Sequence, residues 1–185
     1  LQGSARHAVS IDLAAIIRTI PDYPVPGILF RDITTLLADG LAFRETVERL
    51  TVLCADQRVT KIAGIESRGF VFAAPVAAAL GVGFVPLRKP GKLPAAVVSQ
   101  EYALEYGEDR LEMHADAVHR DERVLVIDDL VATGGTAQAS VALLRRVGAI
   151  VAACVFVVEL PALGGRARLE AEGISVHSVV TFPGH

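Results

Sequence analysis

Residues 128–136 read DDLVATGGT: two adjacent carboxylates, then a short run of small and hydroxyl-bearing residues. Ala132, Thr133, Gly134, Gly135 and Thr136 form that run, and a helical pattern through Val141, Leu144, Arg145 and Val147 follows it. Successive amides of such a loop, the Thr133 and Thr136 hydroxyls and the positive end of the following helix together suit a terminal phosphate monoester. A helix end supplies about half a positive charge, so the amides must supplement it. The run contains no lysine and does not match the nucleotide-triphosphatase pattern of two glycines ahead of Lys and Ser or Thr. Asp128 and Asp129 would repel a phosphate. They are expected instead at a strand end where the chain turns, accepting hydrogen bonds from neighbouring sugar hydroxyls. Phosphate in the loop and a diol at the acids describe a ribose 5-phosphate. A magnesium site of the phosphotransferase or receiver type is the rival reading, and the lack of another acid cluster at an earlier strand end counts against it.

Cations come from two other predicted strand ends. Arg88, Lys89 and Lys92 follow one and Arg68 follows the other. A cluster such as the first is by itself ordinarily a solvated loop. Joined by Arg68 it can converge on a polyanion such as pyrophosphate, with magnesium sharing the charge; Arg offers bidentate contact and Lys a mobile point charge. Ribose, 5-phosphate and pyrophosphate together describe phosphoribosyl pyrophosphate.

The elements that must position these groups are legible around them. Val124 to Ile127 is a continuous apolar run, as expected of a parallel strand buried on both faces. Lys61 to Ile65 reads as a short strand, followed by the polar loop Glu66, Ser67, Arg68, Gly69 and a buried helix from about Phe70 to Leu80. A strand near Phe84 to Leu87 precedes the cations. Residues 94–111 have a loose β-like flavour and interrupt the alternation, as a flap over the site or a decorated edge hairpin would. Ile150 to Leu160 is another apolar strand, Leu163 to Glu172 a short helix, and Ile174 to Val180 a closing strand. The alternation predicts an α/β fold, a doubly wound, mainly parallel sheet flanked by helices. Upstream, Phe43 to Asp56 has helical spacing, and an amphipathic helix is expected from Ile11 to just before Pro21, favoured by Asp12 near its start. Between them, Pro21, Pro24, Pro26 and Gly27 give a stiff apolar loop that either walls a pocket or lies on the core as a linker.

Composition narrows the class. At 185 residues the chain fits one domain with at most a small appendage. It is 52% hydrophobic and 21% charged, with a net charge of -3, which argues against a general nucleic-acid binder. The uncharged stretch from Gly69 to Leu87 is long enough to span a membrane, but Pro75, Gly81, Gly83 and Pro86 break it. No signal-peptide pattern opens the chain, so a cytoplasmic location is expected. Cys54 and Cys154 lack paired spacing and read as small core residues. His7, His114, His119, His177 and His185 show no metal-ligand spacing.

VLVIDDLVATGGT resembles the phosphoribosyl pyrophosphate motif of type I phosphoribosyltransferases, and PDYPVPGILFRDIT, GIESRGFVFAAPVA, RKPGKLP, EYALEYGEDRLEMHADA and the closing TFPGH are similar to adenine phosphoribosyltransferases. The resemblance implies a single domain over residues 1–185, with a small N-terminal hood whose base-binding loop covers about 21–40 and a flexible flap at about 94–112. It implies that Asp128 and Asp129 bind the ribose hydroxyls, Ala132 to Thr136 the 5-phosphate, and Glu66, Ser67, Arg68, Arg88, Lys89 and Lys92 the pyrophosphate. In the family the loop at Glu66 often holds a non-proline cis peptide, and many members carry Asp where this chain has Glu66. Leu29, Phe30 and Arg31 would line the adenine pocket, with the Arg31 backbone reading the base. Glu105, beside Tyr106 in the flap with Tyr102, would handle the purine proton, and Arg68 and Lys89 would act on the leaving group. The implied reaction joins adenine to phosphoribosyl pyrophosphate, giving AMP and pyrophosphate. Mg2+ would be held by the substrate with no direct protein ligand, through water at most to Asp128 or Asp129. A homodimer is implied, with no nucleic-acid or membrane partner. Another purine base, such as hypoxanthine, guanine or xanthine, stays open from the residues alone, as does, more remotely, a non-catalytic regulator that binds phosphoribosyl pyrophosphate.

Overall fold

Pro21 cannot donate to a sheet ladder, which confines it to a strand edge or end; in the computed structural model, which describes residues 11–103 and 108–184, it closes a short edge strand. The chain divides into two compact units, Leu1–Glu45 and Thr46–His185. In the first, α1 (Leu13–Ile16) is a single turn capped by Asp12, whose Oδ1 accepts from the amides of Ala14 and Ala15 at 3.1 and 3.2 Å. The expected helix to Pro21 is not formed. Ile17 turns extended, and β1 (Arg18–Pro21) pairs antiparallel with β2 (Leu29–Asp32), Ile20 opposite Phe30. Arg18 forms an ion pair with buried Asp32, and Thr35 Oγ1 donates to Ile16 O at 2.7 Å. The proline-rich stretch is therefore mainly the connection of a hairpin: Asp22 and Gly27 take left-handed φ values of 56° and 91°, the Gly27 amide donates to Asp22 Oδ1 at 2.8 Å, and the Tyr23–Pro24 peptide is cis. The 21–40 segment is no loop throughout, since it holds β2 and α2 (Thr34–Ala38). Next comes α3 (Gly40–Ala55), with Ala42, Thr46, Leu50 and Cys54 buried at helical spacing.

The second unit carries the parallel sheet. Its strands are β3 (Lys61–Ile65), β4 (Gly83–Leu87), and, after the hairpin β5 (Val97–Ala103) and β6 (Glu108–His114), β7 (Arg123–Val131), β8 (Ile150–Glu159) and β9 (Ser175–Thr181). The order is β4-β3-β7-β8-β9 and every pairing is parallel. Seven of the ten β8 residues are buried in one run, which requires cover on both faces. That cover includes α4 (Arg68–Leu80), α5 (Gly135–Arg146) and α6 (Gly165–Glu170). The expected helix over 163–172 is a 3-10 turn, Pro161–Leu163, and then α6, separated by Gly164 at φ 75°. The uncharged stretch from Gly69 to Leu87, read as a buried helix, a turn and a strand, falls in α4 and β4; among the described residues no helix is long and apolar enough to cross a membrane. Pro75 lies inside α4 and costs it one backbone hydrogen bond, and left-handed Gly81 ends it.

The interruption at 94–111 is the β5–β6 hairpin, reaching to His114. Its base is joined to the chain beyond β4 by reciprocal bonds between Arg88 and Glu112, at 2.8 and 2.7 Å, while Arg146 of α5 donates to Ser99 O at 3.0 Å. At the opposite end of the sheet, Lys61 Nζ donates to Ala117 O and Glu122 Oε2, both at 2.7 Å, and the Arg123 guanidinium donates to Gln57 O. Cys54 and Cys154 are free and buried, and burial pushes both thiols up to about 12.

Candidate active site

β3 leads outward to β4, whereas β7 leads the other way to β8 and β9, so the strand order reverses between β3 and β7. Such a reversal leaves a crevice outside the carboxyl ends of the two strands. A pocket of about 380 Å³ occupies it, lined by Ile65 to Arg68, Lys89 and the continuous segment Asp128 to Ala137. Both acids, the whole small-residue loop, Glu66, Ser67, Arg68 and Lys89 are thus brought together. Arg88 and Lys92 are not in the lining.

The loop is shaped by two glycines. Gly134 sits at φ 81° as the residue before α5, and a Cβ there would lie 3.0 Å from both Cα and O of Gly165. A Cβ on Gly165 would lie 2.4 Å from Ala132 O and 2.9 Å from Gly134 N, so no side chain fits at either position. No side chain caps α5, which leaves its first amides facing the pocket as an anion cradle.

The acids sit differently from the expectation. β7 does not end before them but runs through both to Val131, because Asp128 and Val131 still pair with β8. Alternation along an extended strand sends the two side chains to opposite faces. Asp129, 5% exposed, takes Arg68 Nε on Oδ2 at 2.5 Å, whereas Asp128 Oδ1 accepts the Asp129 amide at 2.8 Å. Burial, reinforced by the neighbouring Asp129, pushes the Asp128 carboxyl well above the ordinary carboxylate range. Gly69 allows this closeness: a Cβ there would lie 2.8 Å from Asp128 Oδ1 and 2.9 Å from Ile127 O.

The cations divide into two groups. Arg68, on the first turn of α4, reaches Asp129 while its side chain stays 56% exposed to the pocket side. Lys89 Nζ donates to Tyr102 Oη at 2.9 Å and forms an ion pair with Asp109 from the hairpin, and Tyr102 Oη donates to Asp109 at 3.0 Å. Burial works against the Lys89 charge, but the Asp109 and Tyr102 bonds outweigh it and raise its pKa. Arg88, by contrast, is consumed by Glu66, with Nε at 3.2 Å and Nη2 at 3.3 Å from its carboxylate, and donates to Lys92 O. Glu66 also accepts the Lys89 amide at 2.9 Å. Burial opposes ionisation of Glu66, yet the Lys89 amide and Arg88 prevail and hold it below its usual value. Its peptide bond to Ser67 is cis.

Leu29, Phe30 and Arg31 lie on β2 in the first unit, where Phe30 meets Tyr23 edge-on at 5.1 Å and Arg31 donates to Thr19 Oγ1 at 2.5 Å. Glu105 and Tyr106 lie outside the described residues. Gly69, Asp109 and Gly165 received no role in the site from sequence alone; of the three, only the doubled glycine at 164–165 offered a signal, and it reads equally well as a turn.

The family model of the phosphoribosyl transferase domain matches residues 37–179, which defines the class. An adenine phosphoribosyltransferase of Chelativorans sp. (strain BNC1) is 58% identical over 97% of this chain and 99% of its own. The crystal structure of that enzyme from Thermoanaerobacter pseudethanolicus superposes with a TM-score of 0.88 at 49% identity, covering 92% of this chain and 98% of the other. The Saccharomyces cerevisiae structure, complexed with an iminoaltritol bisphosphate and adenine, gives 0.84 at 35% identity over 91% and 96%. The chain belongs to the adenine phosphoribosyltransferase family.

Proposed function

We propose that the protein transfers the 5-phosphoribosyl group from phosphoribosyl pyrophosphate to adenine, releasing pyrophosphate and forming AMP. The observation that carries this reading is the single crevice in which an anion cradle, a carboxylate pair and two cations from different strand ends converge. Relatives at more than half identity along nearly the whole chain bear the name of that activity, and the yeast relative is solved with adenine.

In this reading the amides and hydroxyls of Ala132 to Thr136 hold the 5-phosphate, and Asp128 and Asp129 receive the ribose hydroxyls. Asp128, with its raised pKa, is suited to share a proton with a hydroxyl rather than oppose the phosphates with a full charge. The bond from C1 to the pyrophosphate oxygen breaks with its electron pair passing to the leaving group, while a purine nitrogen forms the new bond to C1. Negative charge accumulates on pyrophosphate, so Arg68 and Lys89 supply most of the electrostatic stabilisation. Ser67 and the Glu66 loop position that end; Glu66 acts by fixing Arg88 and the Lys89 backbone, with Arg88 and Lys92 supporting the loop. Leu29, Phe30 and the Arg31 backbone receive the base, and Glu105 takes the purine proton. The oxygen donors of Asp128 and Asp129 suit Mg2+, which in this reading substrate oxygens would hold, with the acids reaching it through water. When bound, it shares the charge of the departing pyrophosphate.

The test is pyrophosphate release from phosphoribosyl pyrophosphate with adenine, hypoxanthine, guanine and xanthine, with and without magnesium. Release with adenine alone among the four, dependent on magnesium, is expected. Absence of release with adenine overturns the reading.

A further inference from the structure

The phosphate-cradling loop does not hold its own shape. It is backed by residues 160–165: the Leu160 amide donates to Val131 O at 3.0 Å, the Gly165 amide donates to Ala132 O at 2.9 Å, and Gly134 and Gly165 touch backbone to backbone. The backing element α6 has only six residues, too few to persist as a helix by itself. Its fixity comes from the residue after Gly165. Arg166 donates Nε and Nη2 to the two oxygens of Glu159 at 2.7 and 2.5 Å, and Nη1 to Val176 O at 2.6 Å and Glu170 Oε1 at 3.3 Å. Glu159 is 4% exposed, is register-paired with Val131, and accepts Ser178 Oγ at 2.6 Å. None of these side chains lines the pocket.

An ion pair between a buried carboxylate and a half-buried guanidinium, as here, is a weak source of stability, since desolvation offsets much of the attraction. Its advantage is a fixed geometry, because a bidentate fork sets both distance and angle. We propose that Glu159 and Arg166 are positioning residues for the reaction: their ion pair seats α6 against residues 132–134 and thereby sets the amide directions that receive the 5-phosphate. This rests on the assignment of that loop to the 5-phosphate. The pair sits behind the phosphate half of the site, away from the Arg68 and Lys89 end, so it acts on one half of the substrate only.

The full chain is tested as Glu159→Gln and as the milder Ser178→Ala, with circular dichroism as the check on folding. Calorimetric titrations give the affinities for ribose 5-phosphate and, separately, for magnesium pyrophosphate, and steady-state rates give kcat and KM. Glu159→Gln is expected to weaken ribose 5-phosphate about tenfold and to raise KM for phosphoribosyl pyrophosphate alike, leaving kcat and pyrophosphate affinity within about twofold. Ser178→Ala is expected to give about threefold on ribose 5-phosphate alone, as the loss of one hydrogen bond predicts. Equal weakening of both ligands, or of neither, overturns the proposal, and Ser178→Ala decides on the same terms if Glu159→Gln does not fold. A wild-type chain that binds magnesium pyrophosphate but not ribose 5-phosphate overturns the loop assignment and the proposal with it.

Discussion

Gly69→Ala places one methyl group where α4 meets β7, and the structure sets the size of its effect. The new Cβ would lie 2.8 Å from Asp128 Oδ1, 2.9 Å from Ile127 O and 3.2 Å from Asp128 Cα, with ordinary contact beginning at 3.4 Å. Two of these neighbours are backbone atoms of a central strand, and the third belongs to a carboxylate that bonds the Asp129 amide. None is the free end of a flexible side chain, so the start of α4 must withdraw by about half an ångström, at an overpacking cost of about 1–3 kcal/mol. For a chain of this size that lowers Tm by roughly 3 to 10 °C. Arg68 precedes Gly69 and moves with it, stretching the 2.5 Å bond to Asp129 and displacing the guanidinium from its proposed place at the leaving group. If 1 Å of misplacement costs about a hundredfold, half that distance costs about tenfold in kcat/KM. Differential scanning calorimetry and steady-state rates measure both. Gly40→Ala is the control: a Cβ there would meet nothing within 4 Å, and its φ does not require glycine. Gly69→Ala with unchanged Tm and kcat/KM, or Gly40→Ala with an equal loss, would refute the close-approach account.

Arg68→Ala removes the cation proposed to face the developing charge on pyrophosphate and leaves Asp129 buried without it; kcat is expected to fall about 100- to 1,000-fold, and a fall below threefold in single-turnover rates contradicts the assignment. Glu105→Gln is expected to lower turnover with adenine at saturating substrate by at least about 100-fold, and unchanged turnover removes its proton role. Asp128 titrates higher in the folded chain than its ordinary 3.8, so its contribution favours folding at low pH and is lost as pH rises through the folded value. Asp128→Asn should therefore raise Tm relative to wild type near pH 7, with the gain vanishing below about pH 4; a gain independent of pH contradicts the burial argument.

The parallel sheet was legible because its strands are unbroken apolar runs, and Lys61–Ile65 matches the expected strand residue for residue. The same rule failed at Asp128 and Asp129. Two charges look like the end of a buried strand, yet β7 absorbs them because Asp129 finds Arg68 and Asp128 finds a neighbouring amide. The β1–β2 hairpin was hidden by brevity: four-residue strands ending in Pro21 give no countable alternation. In the site, the small-residue loop before α5 could be read from composition alone, whereas the fates of the cations could not. Arg88 and Lys89 are adjacent, yet one turns to Glu66 and the other to the hairpin. Asp109 stands in a run of acids where nothing local singles it out, and Gly69 and Gly165 are required by what faces them across the fold.

The two ends of the parallel sheet carry unlike duties. The ligand-facing groups emerge where β3 and β7 finish, while the Lys61, Glu122 and Arg123 bonds clasp the ends where those strands begin, about 15 Å away at the rise of a five-residue strand. Substitutions in the clasp spend stability without touching substrate geometry, whereas substitutions in the crevice alter that geometry and, as at Asp128, stability with it. Sites this far apart with no shared partners combine additively. A lineage of such chains can therefore drift, or be strengthened by design, at one end while the other stays under chemical selection, and the sheet serves as the spacer that keeps the two histories independent.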